Sequence, residues 1–216
     1  MTQTKKRKEA IASSGILADP HRNDLMAFAM SIVSNCEANF NLFGEWICEE
    51  AELPVCPDCQ TPMKRRDSRR RHIRREGGKK YWGTIRRLYC KKCRRLHNEL
   101  PANVSPHKHY EVEVIEGVVD EVIQPDDHEN EGYPCEVTMH RWKQWIEHNR
   151  PFIEGYIRSI GFLLLGLGLE FLKSEESILD YLREKFCDKE HHWLTAVNRL
   201  VYNTGASLEA WPPRAP

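Results

Sequence analysis

The sequence predicts an α+β fold, a small β-hairpin unit set into a mainly helical chain, and three observations carry that prediction. Two Cys-x-x-Cys pairs, Cys56-Pro-Asp-Cys59 and Cys90-Lys-Lys-Cys93, enclose residues 60–89. Inside them, Lys64 to Arg75 and Tyr81 to Tyr89 read as two strands joined by a Gly77-Gly78 turn, with Trp82, Ile85 and Leu88 as the small apolar surface. From Tyr110 onward, apolar residues recur at helical spacing instead.

In chain order, residues 1–20 are polar, basic at the front and rich in Ser and Ala, the composition of a disordered basic tail. Residues 21–53 are expected to be helical: Leu25, Phe28, Ala29, Ile32 and Val33 follow helical spacing, and Phe40, Phe43, Trp46 and Ile47 suggest a second short helix before Pro54. Residues 54–108 hold the cysteine-bearing hairpin. Residues 109–205 are expected to form a helical, helix-turn-helix-like domain. There, Val112, Ile115, Val118, Val119, Val122 and Ile123 mark one helix face ending at Pro125. A second helix begins near Thr138 and buries Met139, Trp142 and Ile146, and later helices run from Pro151 to Lys173, Glu175 to Phe186 and Trp193 to Tyr202. Residues 206–216 read as a C-terminal tail.

Each Cys-x-x-Cys pair can put two thiolates on one tetrahedral ion, so Cys56, Cys59, Cys90 and Cys93 read as the ligands of one structural Zn²⁺ in a ribbon. A dithiol redox motif is the alternative, but it needs one pair rather than two matched ones. So small a hairpin cannot be held by burial, and the metal would supply the missing stability. His97 could replace a cysteine at the ion, although four cysteines already fill a tetrahedron.

The formal charge sums to zero over 216 residues but is segregated. Residues 55–108 carry 17 Lys and Arg against 4 Asp and Glu, a net of +13, and the remainder carries 15 against 28, a net of −13. Such a basic segment points to a polyanion partner. Arg65, Arg66, Arg69, Arg70, Arg71, Arg74 and Arg75 are the candidate phosphate contacts. Strand alternation would put Arg65, Arg69 and Arg71 on one face and Arg66, Arg70 and Arg74 on the other. A solvated charged face with no partner is the plain alternative.

Thr138, His140, Arg141 and Gln144 occupy the first turns of a helix that could enter the major groove, where Arg and Gln make two-pronged contacts with guanine and adenine. An amphipathic packing helix explains the same pattern. The connection from Pro125 to Val137 is acidic and far longer than a tight helix-turn-helix allows.

The run from Ile85 through Cys90, Cys93, His97 and Pro101 to Tyr110, taken with Cys56-Pro-Asp-Cys59, resembles an uncharacterised bacterial family of short proteins that join a zinc ribbon to a helix-turn-helix-like region. That family resembles the N-terminal DNA-binding parts of insertion-sequence transposases without the nuclease domain. The resemblance covers Val55 to Trp145, with a fainter match over Trp193 to Thr204, and implies zinc and DNA. Residues 1–50 lie outside it.

No carboxylate set of nuclease type, phosphate-cradling glycine loop or Gly-x-Ser-x-Gly motif is present, so catalysis has no support in the sequence. Eight cysteines without a signal peptide fit a reducing, cytoplasmic setting. The apolar stretch from Ile160 to Leu169 is too short to span a bilayer, so no membrane is expected. The resulting expectation is a DNA-binding accessory or regulator. An RNA-binding protein, an adaptor for an acidic protein and a transposase remnant acting with a separate subunit are the alternatives, and the oligomeric state is open.

Overall fold

The computed structural model describes residues 30–48, 52–126, 134–164, 176–186 and 192–210, and it is α+β. The strands are β1 (Met30–Val33), β2 (Asn39–Phe40), β3 (Trp46–Ile47), β4 (Lys64–Arg74), β5 (Lys80–Cys90) and β6 (Arg95–Leu100). The helices are α1 (Val112–Val119), α2 (Glu136–Leu164), α3 (Ile178–Lys185) and α4 (Trp193–Tyr202). One sheet runs in the order β1-β6-β5-β4, with β1 parallel to β6 and the other pairs antiparallel. Strands β2 and β3 form a separate antiparallel pair.

The long hairpin β4–β5 turns where expected. Gly77 and Gly78 both have positive φ, 70° and 78°, a region that a Cβ makes costly. Cross-strand partners share a face, so the register sorts the side chains. Asp67, Arg69, Arg71 and Ile73 pair with Arg87, Ile85, Gly83 and Tyr81. This face carries the cluster in which Ile73, Ile85, Trp46, Leu100 and Val104 are buried. Ser68, Arg70, His72 and Arg74 pair with Arg86, Thr84, Trp82 and Lys80 on the opposite face.

A β-bulge between Arg65 and Asp67 corrects the simple alternation. Arg65 pairs with Leu88, which shares a face with Arg86 and Thr84, so Arg65 lies with Arg70 and Arg74 rather than with Arg69 and Arg71.

Gly83 is required by packing. The Trp46 indole lies against it and donates from Nε1 to the Arg71 carbonyl at 3.2 Å, and a Cβ on Gly83 would meet the ring at 2.2 Å. Gly83→Ala is therefore expected to lower stability by about 1–3 kcal/mol through overpacking. Gly155→Ala on α2, where a Cβ meets nothing within 4 Å, should raise it by about 0.5–1 kcal/mol. Urea unfolding midpoints of the two variants check both signs.

Residues 30–47 overturn the expectation of an N-terminal helical segment. Ile32 and Val33 lie in a strand, and Phe40, Trp46 and Ile47 lie in the β2–β3 pair, while Leu25, Phe28 and Ala29 lie outside the described residues. The outer edge of β1 is closed by α4: the Asn203 side chain accepts from Val33 N–H and donates to Val33 C=O, both at 2.8 Å. That contact satisfies backbone groups that would otherwise be an open sheet edge.

The helices share one core of Val33, Val112, Ile115, Val118, Trp142, Trp145, Ile146, Leu179, Leu194 and Val197, among others. Helix α2 continues through Pro151 without a break, so the helices expected separately before and after that residue are one. Two buried or half-buried acids cap the shorter helices. Glu154 accepts from Ile178 N–H at 2.6 Å and Leu179 N–H at 3.3 Å, and Glu116 accepts from Leu194 N–H at 2.6 Å, each placing negative charge at a helix N-terminus. Leu208 is buried in the same core, and Glu209 accepts and donates through its backbone to α2 residues Trp145 and Asn149. Residues 206–210 are thus packed rather than a tail, and residues 211–216 and 1–20 lie outside the described residues. Among the described residues, no helix is long and apolar enough to cross a membrane.

Candidate metal centre and basic hairpin

Cys56, Cys59, Cys90 and Cys93 come together at the open end of the β4–β5 hairpin, away from its Gly77-Gly78 turn, with their sulfurs all within 4.8 Å of one another. The Cys59–Cys90 and Cys56–Cys93 sulfurs are 3.5 and 4.0 Å apart. Metal–sulfur bonds of about 2.3 Å in a tetrahedron put sulfurs about 3.8 Å apart, so the four can hold one ion with little movement. Two alike turns make the site. Gln60 N–H donates to Cys56 C=O at 2.9 Å in the first, Cys93 N–H donates to Cys90 Sγ at 3.4 Å in the second, and the residue after each pair, Gln60 or Arg94, has φ of 56°.

Without a cation among them, the thiols are electrostatically unequal. Hydrogen bonding with the Thr61 hydroxyl, 3.4 Å away, draws Cys59 down to about 6. Its hydrogen bond with Cys59 pushes Cys93 up to about 12, with burial adding to the rise. One negative charge among four close sulfurs resists a second, and a dication removes that resistance.

His97 is fully buried and sits with Nε2 3.8 Å from Cys56 Sγ. It forms a smaller group with Cys56 and Asp58, but this group shares Cys56 with the four-sulfur cluster. His97 is placed as an outer partner of a ligand, able to donate to its sulfur and orient it. The cluster is anchored on both sides. Ile32, Met63 and Leu88 pack on Cys56 and Cys90, and the Gly205 turn after α4 lies against Asp58 and Pro57.

The arginines divide into two groups. Arg71 donates to the carbonyls of Ser105, at 3.3 Å, and Lys108, and burial lowers its guanidinium to about 10. Arg75 pairs with Glu111 at 2.8 Å. These two are structural, because each satisfies groups on the 101–111 connection that crosses beside the hairpin. Arg66 lies at the bulge, 3.8 Å from Asp67. Arg86 and Arg87, on β5, are occupied by Glu99 and Asp67. Arg65, Arg69 and Arg70 are exposed and have no carboxylate partner among the described residues. Arg70 lies 5.0 Å over the Trp82 ring and Arg74 5.6 Å over Tyr110.

Thr138, His140, Arg141 and Gln144 lie together on the first turns of α2, with Thr138 half-buried and the other three exposed. The opposite side of those turns is packed: Met139, Trp142, Trp145 and Ile146 are buried. Helix α1 ends at Val119 and α2 begins at Glu136, so the pair is not a tight helix-turn-helix. Tyr110 connects the two regions, stacked edge-on against Trp142 at 4.6 Å and lying under Arg74.

Sequence reasoning missed an aromatic group on the outer half of the hairpin. Trp82 is 42% exposed, faces His72 across the strands at 5.1 Å, and His72 stacks on His109 at 4.3 Å with an interplanar angle of 6°. Burial and the neighbouring arginines keep both imidazoles below the usual histidine range. Strand alternation of His72 with Arg70 and Arg74 was the available signal; the approach of His109 had none.

Fold and site together define an α+β protein with a four-cysteine cluster, close enough to hold a metal ion, at the base of a basic hairpin. A family model described as a domain of unknown function (DUF6431) matches residues 56–142, from the first cysteine of the cluster to the buried Trp142. No curated protein and no solved structure matches the chain.

Proposed function

We propose that the chain is a DNA-binding protein whose hairpin is stapled by one structural zinc ion and whose role is non-catalytic, as an accessory or regulator of the kind its resemblance to transposase DNA-binding regions implies. The observation that carries this reading is the charge on β4. Arg65, Arg69 and Arg70 stand exposed on the outermost strand of a sheet and lack a carboxylate partner among the described residues. The arginines that do have partners show that the fold can neutralise such charge where it needs to. Zinc suits the site because it takes four thiolates in a closed tetrahedron and asks no redox chemistry of it. The helix α2 offers His140, Arg141 and Gln144 as additional contacts to base edges.

The experiment is filter binding to duplex DNA at two salt concentrations. Neutralising about six phosphates makes affinity fall roughly as the fifth power of salt concentration. The expected result is a steep, nearly sequence-independent slope. A flat slope, or no retention at low salt, removes the proposal.

A further inference from the structure

We infer that the open face of the hairpin, together with the turn beside it, takes unpaired nucleobases, so that a single-stranded stretch of DNA or RNA stacks on Trp82 and Phe43 while Arg70 and Arg74 hold its phosphates. This rests on the nucleic-acid reading above and narrows it to a strand state.

Trp82, Arg70, His72 and Arg74 lie on the face of β4–β5 opposite the buried Ile73 and Ile85. The metal cluster covers that face only at its other end, where Leu88 and Cys90 are buried. The β2–β3 turn extends the surface. Gly44 C=O accepts from Trp82 N–H at 2.8 Å, which places the turn against the hairpin beside Trp82. Asn41 Oδ1 accepts from Phe43 N–H and Glu45 N–H, both at 3.0 Å, and Gly44 supplies a φ of 81°. So braced, the turn holds Leu42 94% and Phe43 89% exposed.

Large apolar side chains fixed in water are costly and mark contact sites. Here Trp82 lies 5.0 Å from the Arg70 guanidinium, and the turn that carries Phe43 is hydrogen-bonded beside it. A paired duplex shows this surface only phosphates and groove edges, and its base faces are hidden in the stack. A single strand offers both a π-face for each ring and a phosphate within reach of each arginine, the combination that single-strand surfaces use. The His72–His109 stack continues the same row of flat rings from Trp82 toward Tyr110 and Arg74.

The test uses the metal-loaded full chain and oligomers of about 16 nucleotides: one single-stranded DNA, the RNA of the same sequence, and the DNA as duplex. Anisotropy gives affinity and tryptophan emission reports stacking. The expected result is single-strand binding that quenches emission, and a loss of about tenfold on that substrate for Trp82→Ala and for Phe43→Ser, with duplex binding changed less than about twofold. Trp82→Tyr should restore most of the loss. The DNA and RNA arms decide which strand is preferred. Phe43 is so exposed that its variant keeps the fold, which leaves the inference exposed to refutation even if Trp82→Ala misfolds. Equal losses on single strands and duplex, or no loss on either, overturn the inference while leaving the DNA-binding reading standing. Absence of binding to all three oligomers overturns both, and selective capture of an acidic peptide in their place would assign the surface to a protein partner.

Discussion

A Cys59→Ser, Cys90→Ser double variant is expected to lose its bound metal entirely, from one equivalent of zinc per chain to none by elemental analysis. The two residues sit on different turns, 3.5 Å apart across the cluster, so the double change leaves each turn with one sulfur and the ion with two ligands. Structural zinc in small units contributes on the order of 10–16 kcal/mol of apparent binding free energy near neutral pH, larger than the stability of most domains. The apolar cluster around it, Ile32, Met63 and Leu88, is far too small to replace that term. Loss of metal should therefore loosen the open end of the β4–β5 hairpin, read as faster amide exchange over residues 56–64 and 88–96 than in the parent. A double variant that keeps a full equivalent of zinc would sink the assignment of these ligands, and a full equivalent of iron in the parent would sink the assignment of the metal.

Trp142→Ala should be the most damaging change in the helical layer. Its indole is 4% exposed, lies edge-on to Tyr110 at 4.6 Å, and belongs to the core that joins α1, α2 and α4. Truncation leaves a cavity costing about 3–5 kcal/mol and gives up the aromatic pair. Because Tyr110 also lies beneath Arg74, the damage should reach the turn end of the hairpin. Arg141→Ala, one residue away and exposed, should leave the unfolding midpoint within about 0.5 kcal/mol of the parent. On a target selected from random duplexes, it should cost about 1–3 kcal/mol of discrimination at one base pair. If Trp142→Ala unfolds at the parent's midpoint, the helical core is wrongly described. If Arg141→Ala binds target and random DNA in an unchanged ratio, α2 is a packing element alone.

The parts read correctly from sequence are those with local causes. The hairpin follows from two arginine-rich runs around Gly77-Gly78, α4 and the first two turns of α1 from apolar residues at helical spacing, although α1 stops at Val119 rather than at Pro125 and leaves Val122 exposed, and the sulfur cluster from two Cys-x-x-Cys pairs. What escaped was set by distant partners. Ile32 and Val33 fit a helical pattern, but four residues of β1 gain their place by parallel pairing with β6, and a short apolar run does not separate strand from helix by periodicity. Pro151 reads as a boundary, yet the packing of Trp145, Ile146, Ile153 and Ile157 on one core carries α2 through it, against the usual cost of an interior proline. Arg71 looks like its neighbours in the run. Its role follows from the carbonyls of Ser105 and Lys108, which nothing near it in sequence announces. A bulge of one residue then moved Arg65 to the other face from Arg69 and Arg71.

Charge on an outermost strand has a second physical use, since arginines there keep foreign strands from pairing with the open edge. The Arg65→Ala, Arg69→Ala, Arg70→Ala triple variant separates this use from nucleic-acid binding, and Arg71 is left intact because it holds the 101–111 connection in place. Its affinity for duplex DNA, measured beside the parent at roughly physiological salt and at one lower concentration, tests the account most directly. The predicted result is weaker binding by a similar factor for all sequences, with a salt slope shallower by up to about 3 if all three side chains meet phosphates. Binding equal to the parent's, with the same slope, would contradict the account and leave β4 as a guarded sheet edge.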